Sequence, residues 1–179
     1  MVNEEYIVQQ AIDGNQSAFT QIYDIYFDRI YRYVFVRLKK QAEAEDLTQE
    51  VFIKALRSID SYKIGKTPFA AWLFRIAHNQ VIDHVRKFAK RQETSLDDAP
   101  PSIGAEDPVA MIEQKFEIAE LNTAMMELSP AQQEVISLRF VADLPIAEVA
   151  KILGKSEGTV KALQFNGTAS LRKLLAGRM

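Results

Sequence analysis

Apolar residues recur every three or four positions along most of this 179-residue chain, and no stretch alternates convincingly at period two. A helix buries one stripe with the first spacing and a strand buries one face with the second, so the pattern predicts an all-α protein. Between Ser17 and Leu38, the residues Phe19, Ile22, Tyr23, Tyr26, Ile30, Tyr33 and Val34 form one such stripe. A second helix is predicted over about 42–59 and a third over about 68–90, with Gly65 and Pro68 marking the loop between them.

The stretch 92–109, QETSLDDAPPSIGAEDPV, interrupts the pattern with three prolines, a glycine and five acids. Such a segment is too polar and too broken to join a core, and it reads as a flexible linker. The predicted organisation is therefore two small helical domains, 1–91 and 113–179, joined by an acidic tether over 92–112. The formal net charge of −2 conceals a division along the chain: 1–91 carries +3, 92–115 carries −5, and 116–179 is neutral. Binding is therefore argued by segment. The chain has no cysteine, which excludes a disulfide framework and a thiolate metal site. Its start, MVNEEYIVQQ, lacks the basic and apolar parts of a signal peptide, and no apolar run approaches the ~20 residues of a membrane helix. A soluble, cytoplasmic protein without membrane insertion is the expectation.

In the C-terminal part, Ser129-Pro130-Ala131-Gln132 is a helix start: serine caps, proline suits the first helical position, and glutamine closes a capping box. It opens a helix through Arg139. The following IAEVAKILGKSEGTVKAL fits a helix-turn-helix, with Ala150 where the helices cross, Gly154 in the turn, and Val160 and Leu163 as anchors. Ser156 would cap the second helix, whose N-terminal half enters a major groove in proteins of this kind. Candidate duplex contacts are Arg139, Ser156, Glu157, Thr159, Lys161, Ala162 and Gln164. A helical hairpin that merely packs is the alternative.

The third predicted helix has two faces at 100° per residue. Leu73, Phe74, Ala77, Val81, Val85 and Phe88 gather on one, with Trp72, Arg75, Asn79, Asp83, Arg86 and Lys90 nearly opposite. Cations hold phosphates, an aromatic ring stacks on a base, and amide and carboxylate groups read base edges, which together suit single-stranded DNA. Lys87 joins this candidate set. A solvated charged face is the bland alternative. On the second helix Asp46, Gln49, Glu50 and Lys54 point outward with Ile53, while Leu47, Val51, Ala55 and Ile59 can face the core. That acidic–amide surface suits a protein partner better than a phosphate.

Taken in order, these segments resemble the extracytoplasmic-function sigma factors of bacterial RNA polymerase over nearly the whole chain. AEDLTQEVFIKAL looks like the family signature that binds the β′ clamp helices, which implies that role for Asp46, Leu47, Gln49 and Glu50. FAAWLFRIAHNQVIDHVRK is similar to the element that melts and recognises the minus-ten promoter element. There Asn79, Asp83 and Arg86 match the positions that line the flipped-base pocket or contact the strand. LSPAQQEVISLRF and the helix-turn-helix ending in SEGTVKAL look like the domain that reads the minus-thirty-five element. The resemblance implies core polymerase (β′ clamp helices and β flap), promoter DNA and an anti-sigma factor as partners, and no cofactor or metal. One departure stands out. An arginine expected near Asn166 is missing, and Gly167 costs a helix roughly 1 kcal/mol relative to alanine. That predicts either a shortened recognition helix or greater reliance on the N-terminal domain.

Competing classes leave more of the sequence unused. A helix-turn-helix regulator without a polymerase role, binding a palindrome as a dimer, gives AEDLTQEVF no task. For an enzyme, His78 and His84 lie six apart and face different ways. Gly65-Lys66-Thr67 lacks the upstream glycine of a phosphate loop, where Asp60 stands.

Overall fold

The computed structural model describes residues 3–94 and 112–177, and they fall into two compact units. Every regular element among them is helical, as the spacing predicts. Unit 1 holds α1 (Glu4–Ile12), α2 (Gln16–Leu38), α3 (Gln41–Ser58), a short 3₁₀ turn and α4 (Phe69–Thr94). Unit 2 holds α5 (Ile112–Met126), α6 (Pro130–Ile136), a π-helical turn (Ser137–Val141), α7 (Ile146–Leu153) and α8 (Glu157–Ala176). The expected linker lies outside the described residues over 95–111, and α4 runs three residues past the expected boundary at 91.

α1 was not foreseen in the sequence. Asn3 caps it by accepting the Glu5 amide at 3.1 Å, and Ile7, Val8 and Ala11 supply a stripe only two turns long. A hydrogen bond from the Tyr26 hydroxyl to Glu4 pins it to α2. Asn15 opens α2 in the same manner, accepting the Ala18 amide at 3.2 Å.

The core of unit 1 is aromatic. Ile22, Tyr26, Ile30, Tyr33 and Val34 of α2 meet Val51, Phe52 and Ala55 of α3 and Leu73, Phe74, Ala77 and Val81 of α4. The Tyr33 and Phe74 rings pack edge to face at 5.7 Å, and Tyr26 meets Phe69 likewise. Such pairs add about 0.5–1.5 kcal/mol beyond the area they bury. Tyr33 also shares a buried hydrogen bond with His78 Nδ1 at 3.3 Å. Burial, reinforced by the Arg37 charge, pushes the His78 imidazole down to about 4.

The sequence placed Val85 and Phe88 on the buried side of α4, and the structure corrects this: they are 44% and 41% exposed. Val81 is the last buried residue of α4 among the described residues, and the apolar stripe continues past it at exposed positions. Lys40 Nζ sits 4.8 Å from the Phe88 ring centre as a partial lid.

Unit 2 has a smaller, aliphatic core of Ala124, Leu128, Val135, Leu138, Leu144, Val149 and Val160. The capping box at the start of α6 forms in both directions. Gln132 donates its amide to Ser129 Oγ, Ser129 donates its own to Gln132 Oε1, and both distances are 3.2 Å.

A candidate nucleic-acid and polymerase interface

The two candidate surfaces of unit 1 lie on α3 and α4. On α3, Asp46, Gln49 and Glu50 are exposed, with Ile53 beside them. Gln49 Nε2 donates to the Tyr23 hydroxyl at 3.0 Å, which anchors the amide against α2. Leu47 is the exception in this predicted group. At 4% exposure it belongs to the core, so its contribution is to hold α3 in register while its neighbours face out. Its place one residue after Asp46 puts it ~100° around the helix, onto the inner face.

α4 carries Arg75, Asn79, Asp83, Arg86, Lys87 and Lys90 in the exposed class. Trp72 is half-buried. Its ring lies 5.4 Å from both Tyr62 and Phe69, in the aromatic cluster at the start of α4, and keeps partial exposure. The His84–Glu43 contact at 3.1 Å ties α4 to α3 beside this face.

A cleft of about 390 Å³ opens between the two helices, lined by Lys54, Arg57 and Ser58 of α3 and Ile76, Asn79 and Gln80 of α4. Spacing along α3 puts Lys54 on the acidic outward face, and the structure places it with Arg57 at this cleft. Their one-turn spacing is visible in the sequence, but their sharing of a cleft with Asn79 depends on how α3 crosses α4. Two cations, two amides and the apolar Ile76 among its lining residues suit a nucleotide, whose phosphate, base edge and ring each find a counterpart.

In unit 2, Gly154 ends α7 in the left-handed region at φ 63°, the turn the helix-turn-helix pattern required. Ser156 then caps α8, accepting the Thr159 amide at 3.1 Å, and the two hydroxyls lie 2.8 Å apart. Glu157, Thr159, Lys161 and Ala162 are exposed. Arg139 and Gln164 are brought together instead of projecting outward. Arg139 Nε donates to Gln164 Oε1 at 2.9 Å, and its Nη1 donates to the Leu144 carbonyl at 2.6 Å. These two side chains brace α8 against the π-helical turn and the loop that leads into α7.

The shortened recognition helix anticipated from Gly167 does not occur. α8 runs unbroken from Glu157 to Ala176. A Cβ built on Gly167 would stand 3.1 Å from Ile136 Cγ1 and 3.2 Å from its Cδ1. The glycine is thus the point where α8 and α6 cross closely, and its intrinsic cost is offset by packing.

Among the described residues, no group of three metal-ligating side chains comes together, and no helix is long and apolar enough to cross a membrane. The family described as Sigma-70 region 2 matches residues 22–92, and that described as Sigma-70, region 4 matches residues 124–173. The chain is 38% identical over 170 residues to the ECF RNA polymerase sigma factor BldN of Streptomyces coelicolor. That match covers 94% of this chain but 64% of the relative, so this chain spans under two thirds of that relative's length. With the ECF RNA polymerase sigma factor SigW of Bacillus subtilis it shares 34% over 182 residues, covering 94% of both proteins. Among solved structures, CnrH in complex with the cytosolic domain of CnrY superposes with a TM-score of 0.76 at 23% identity. It covers 98% of this chain and 99% of that one, a likeness of fold. The sigma factor RpoE in complex with the anti-sigma factor NepR from Bartonella quintana gives 0.71 at 25% identity, covering 88% and 96%.

Proposed function

We propose, for a chain that belongs to the extracytoplasmic-function sigma factors of RNA polymerase, a division of labour among three surfaces. Asp46, Gln49 and Glu50 hold core polymerase at its β′ clamp helices. The α4 face and its cleft take the opened strand at the minus-ten element. α8 lies in duplex DNA at the minus-thirty-five element, with unit 2 against the β flap. The observation that carries this reading is the cleft, where Lys54 and Arg57 border the same space as Asn79.

The mechanism follows from energetics. Extruding a base costs a few kcal/mol of stacking, which contacts available only to the extruded base offset. Trp72 supplies a partly exposed ring, Asn79 and Asp83 supply hydrogen bonds, and Arg75, Arg86, Lys87 and Lys90 supply charge along the strand. Fixing unit 1 on polymerase raises the effective concentration of unit 2 at its DNA site, so neither contact has to be tight alone. The chain acts by binding, in the cytoplasm, and without a cofactor. An anti-sigma factor that covers these surfaces would silence it, as NepR is found bound to RpoE.

The test is transcription from a library of genomic fragments by core polymerase with and without the chain. Transcripts that require the chain and share two upstream elements are expected. Transcripts identical to those from core polymerase alone would overturn the proposal.

A further inference from the structure

Phe165 is 74% exposed, and no other large apolar side chain of α8 is exposed. It stands on the outward half of the helix. Counting ~100° per residue from buried Val160 puts Lys161, Ala162, Phe165 and Asn166 opposite the core, and all four are exposed. Gly167 fixes this orientation, since its close approach to Ile136 leaves α8 little freedom to roll. Arg139 and Gln164 brace the same helix from its other side. The outward face is therefore a rigid strip of one aromatic ring, one methyl group and one amide. Lys161 flanks it within one turn, and Arg172 and Lys173, also exposed, follow toward the C-terminal end.

A lone aromatic side chain with cations on either side is too small to anchor a protein partner, whose docking depends on a cluster of apolar anchors. It matches the floor of a major groove. There the only apolar feature of a base pair is the thymine C5 methyl, and the amide of asparagine pairs with adenine N6 and N7. The flanking cations meet phosphates. An arginine or lysine in place of Asn166 would favour guanine instead.

The geometry points to Phe165, Ala162 and Asn166 as the specificity-determining residues of α8, reading consecutive A·T base pairs through thymine methyls and adenine N6/N7. This inference rests on the assignment of α8 to duplex promoter DNA and specifies which base pairs it selects.

The test uses holoenzyme assembled from the full chain and core polymerase, selecting from promoters randomised across the upstream element. Each thymine of the winning duplex is then replaced by uracil, which lacks only the C5 methyl, and binding is compared by competition. The wild type is expected to enrich adjacent A·T pairs and to lose roughly fourfold in affinity at a uracil substitution, the value of one buried methyl. Phe165→Ala is expected to be indifferent to uracil, and Asn166→Ala to lose about tenfold in its preference for adenine. Phe140→Ala removes an exposed aromatic ring outside α8 and is expected to keep the wild-type response. Circular dichroism establishes that each variant is folded. Enrichment of a sequence with equal uracil penalties in wild type and Phe165→Ala would overturn this inference and leave the promoter reading standing. Enrichment of no sequence by the wild type would overturn both.

Discussion

The two units reach exposed polar surfaces by different routes. Unit 1 rests on long helices around an aromatic core, with Tyr33, Phe74, Ile22, Ile30 and Leu73 almost fully enclosed. α2 and α4 have 23 and 26 residues, so a side chain's position follows directly from helical spacing. Unit 2 also carries its surface on a long helix, the 20-residue α8, but aims it through short ones, seven residues in α6 and eight in α7, and the turns between them. Its accuracy depends on few-atom devices: the Ser129–Gln132 box, left-handed Gly154, the Ser156 cap and the close approach at Gly167. A surface on a helix packed among other long helices tolerates local change. A surface held by turns and close crossings does not.

Acidification should separate the units most strongly. Both histidines lie in unit 1, and burial holds the His78 imidazole at about 4. The unfolded chain protonates near the ordinary 6.5 while the folded unit does not. Unit 1 therefore keeps this stability above pH 6.5 and loses about 3 kcal/mol as the pH falls to 4, whereas unit 2 lacks this source of acid sensitivity. Hydrogen exchange followed separately for α2–α4 and α6–α8 measures the difference, and His78→Gln should flatten the slope. Parallel losses in both units would break the comparison.

The next largest effect concerns the polymerase. Asp46→Ala with Glu50→Ala should weaken core polymerase binding about a hundredfold, the scale of a lost interface hot spot. Lys161→Ala in unit 2 should leave that affinity nearly unchanged. Titration against labelled core polymerase distinguishes the two.

Gly167→Leu should then cost unit 2 about 2 kcal/mol through overpacking against Ile136. Denaturant unfolding, read locally by exchange in α8, measures it, and unit 1 should not respond. Asn79→Ala should reduce promoter opening about tenfold, as for a lost base hydrogen bond, with core binding intact. A fluorescent base analogue in the minus-ten element reports it.

The same contrast explains what the sequence revealed. Helix class, the stripes of α2–α4, the capping box and the turn at Gly154 follow from spacing and from residues with narrow conformational preferences. What escaped depended on how helices cross. Leu47 lies in the core, where its spacing puts it and where the partner role implied by the resemblance does not. That Arg57 borders the same cleft as Asn79 depends on the α3–α4 crossing, which spacing along α3 does not reveal. Arg139 and Gln164 were assigned outward until their 2.9 Å hydrogen bond turned them to each other. Gly167 looked like a defect because its neighbour Ile136 is thirty-one residues away in sequence. Val85 and Phe88 satisfy the stripe yet are exposed, because the stripe continues past Val81, the last buried residue of α4.

The central claim is that α3 joins the chain to RNA polymerase. The most direct measurement is co-elution of the purified full chain with core polymerase stripped of sigma, with excess primary sigma as competitor. The account predicts a stable complex that the competitor displaces and that Asp46→Ala with Glu50→Ala abolishes at micromolar concentration. A folded chain that fails to co-elute, or a complex indifferent to both the competitor and the double substitution, would contradict it.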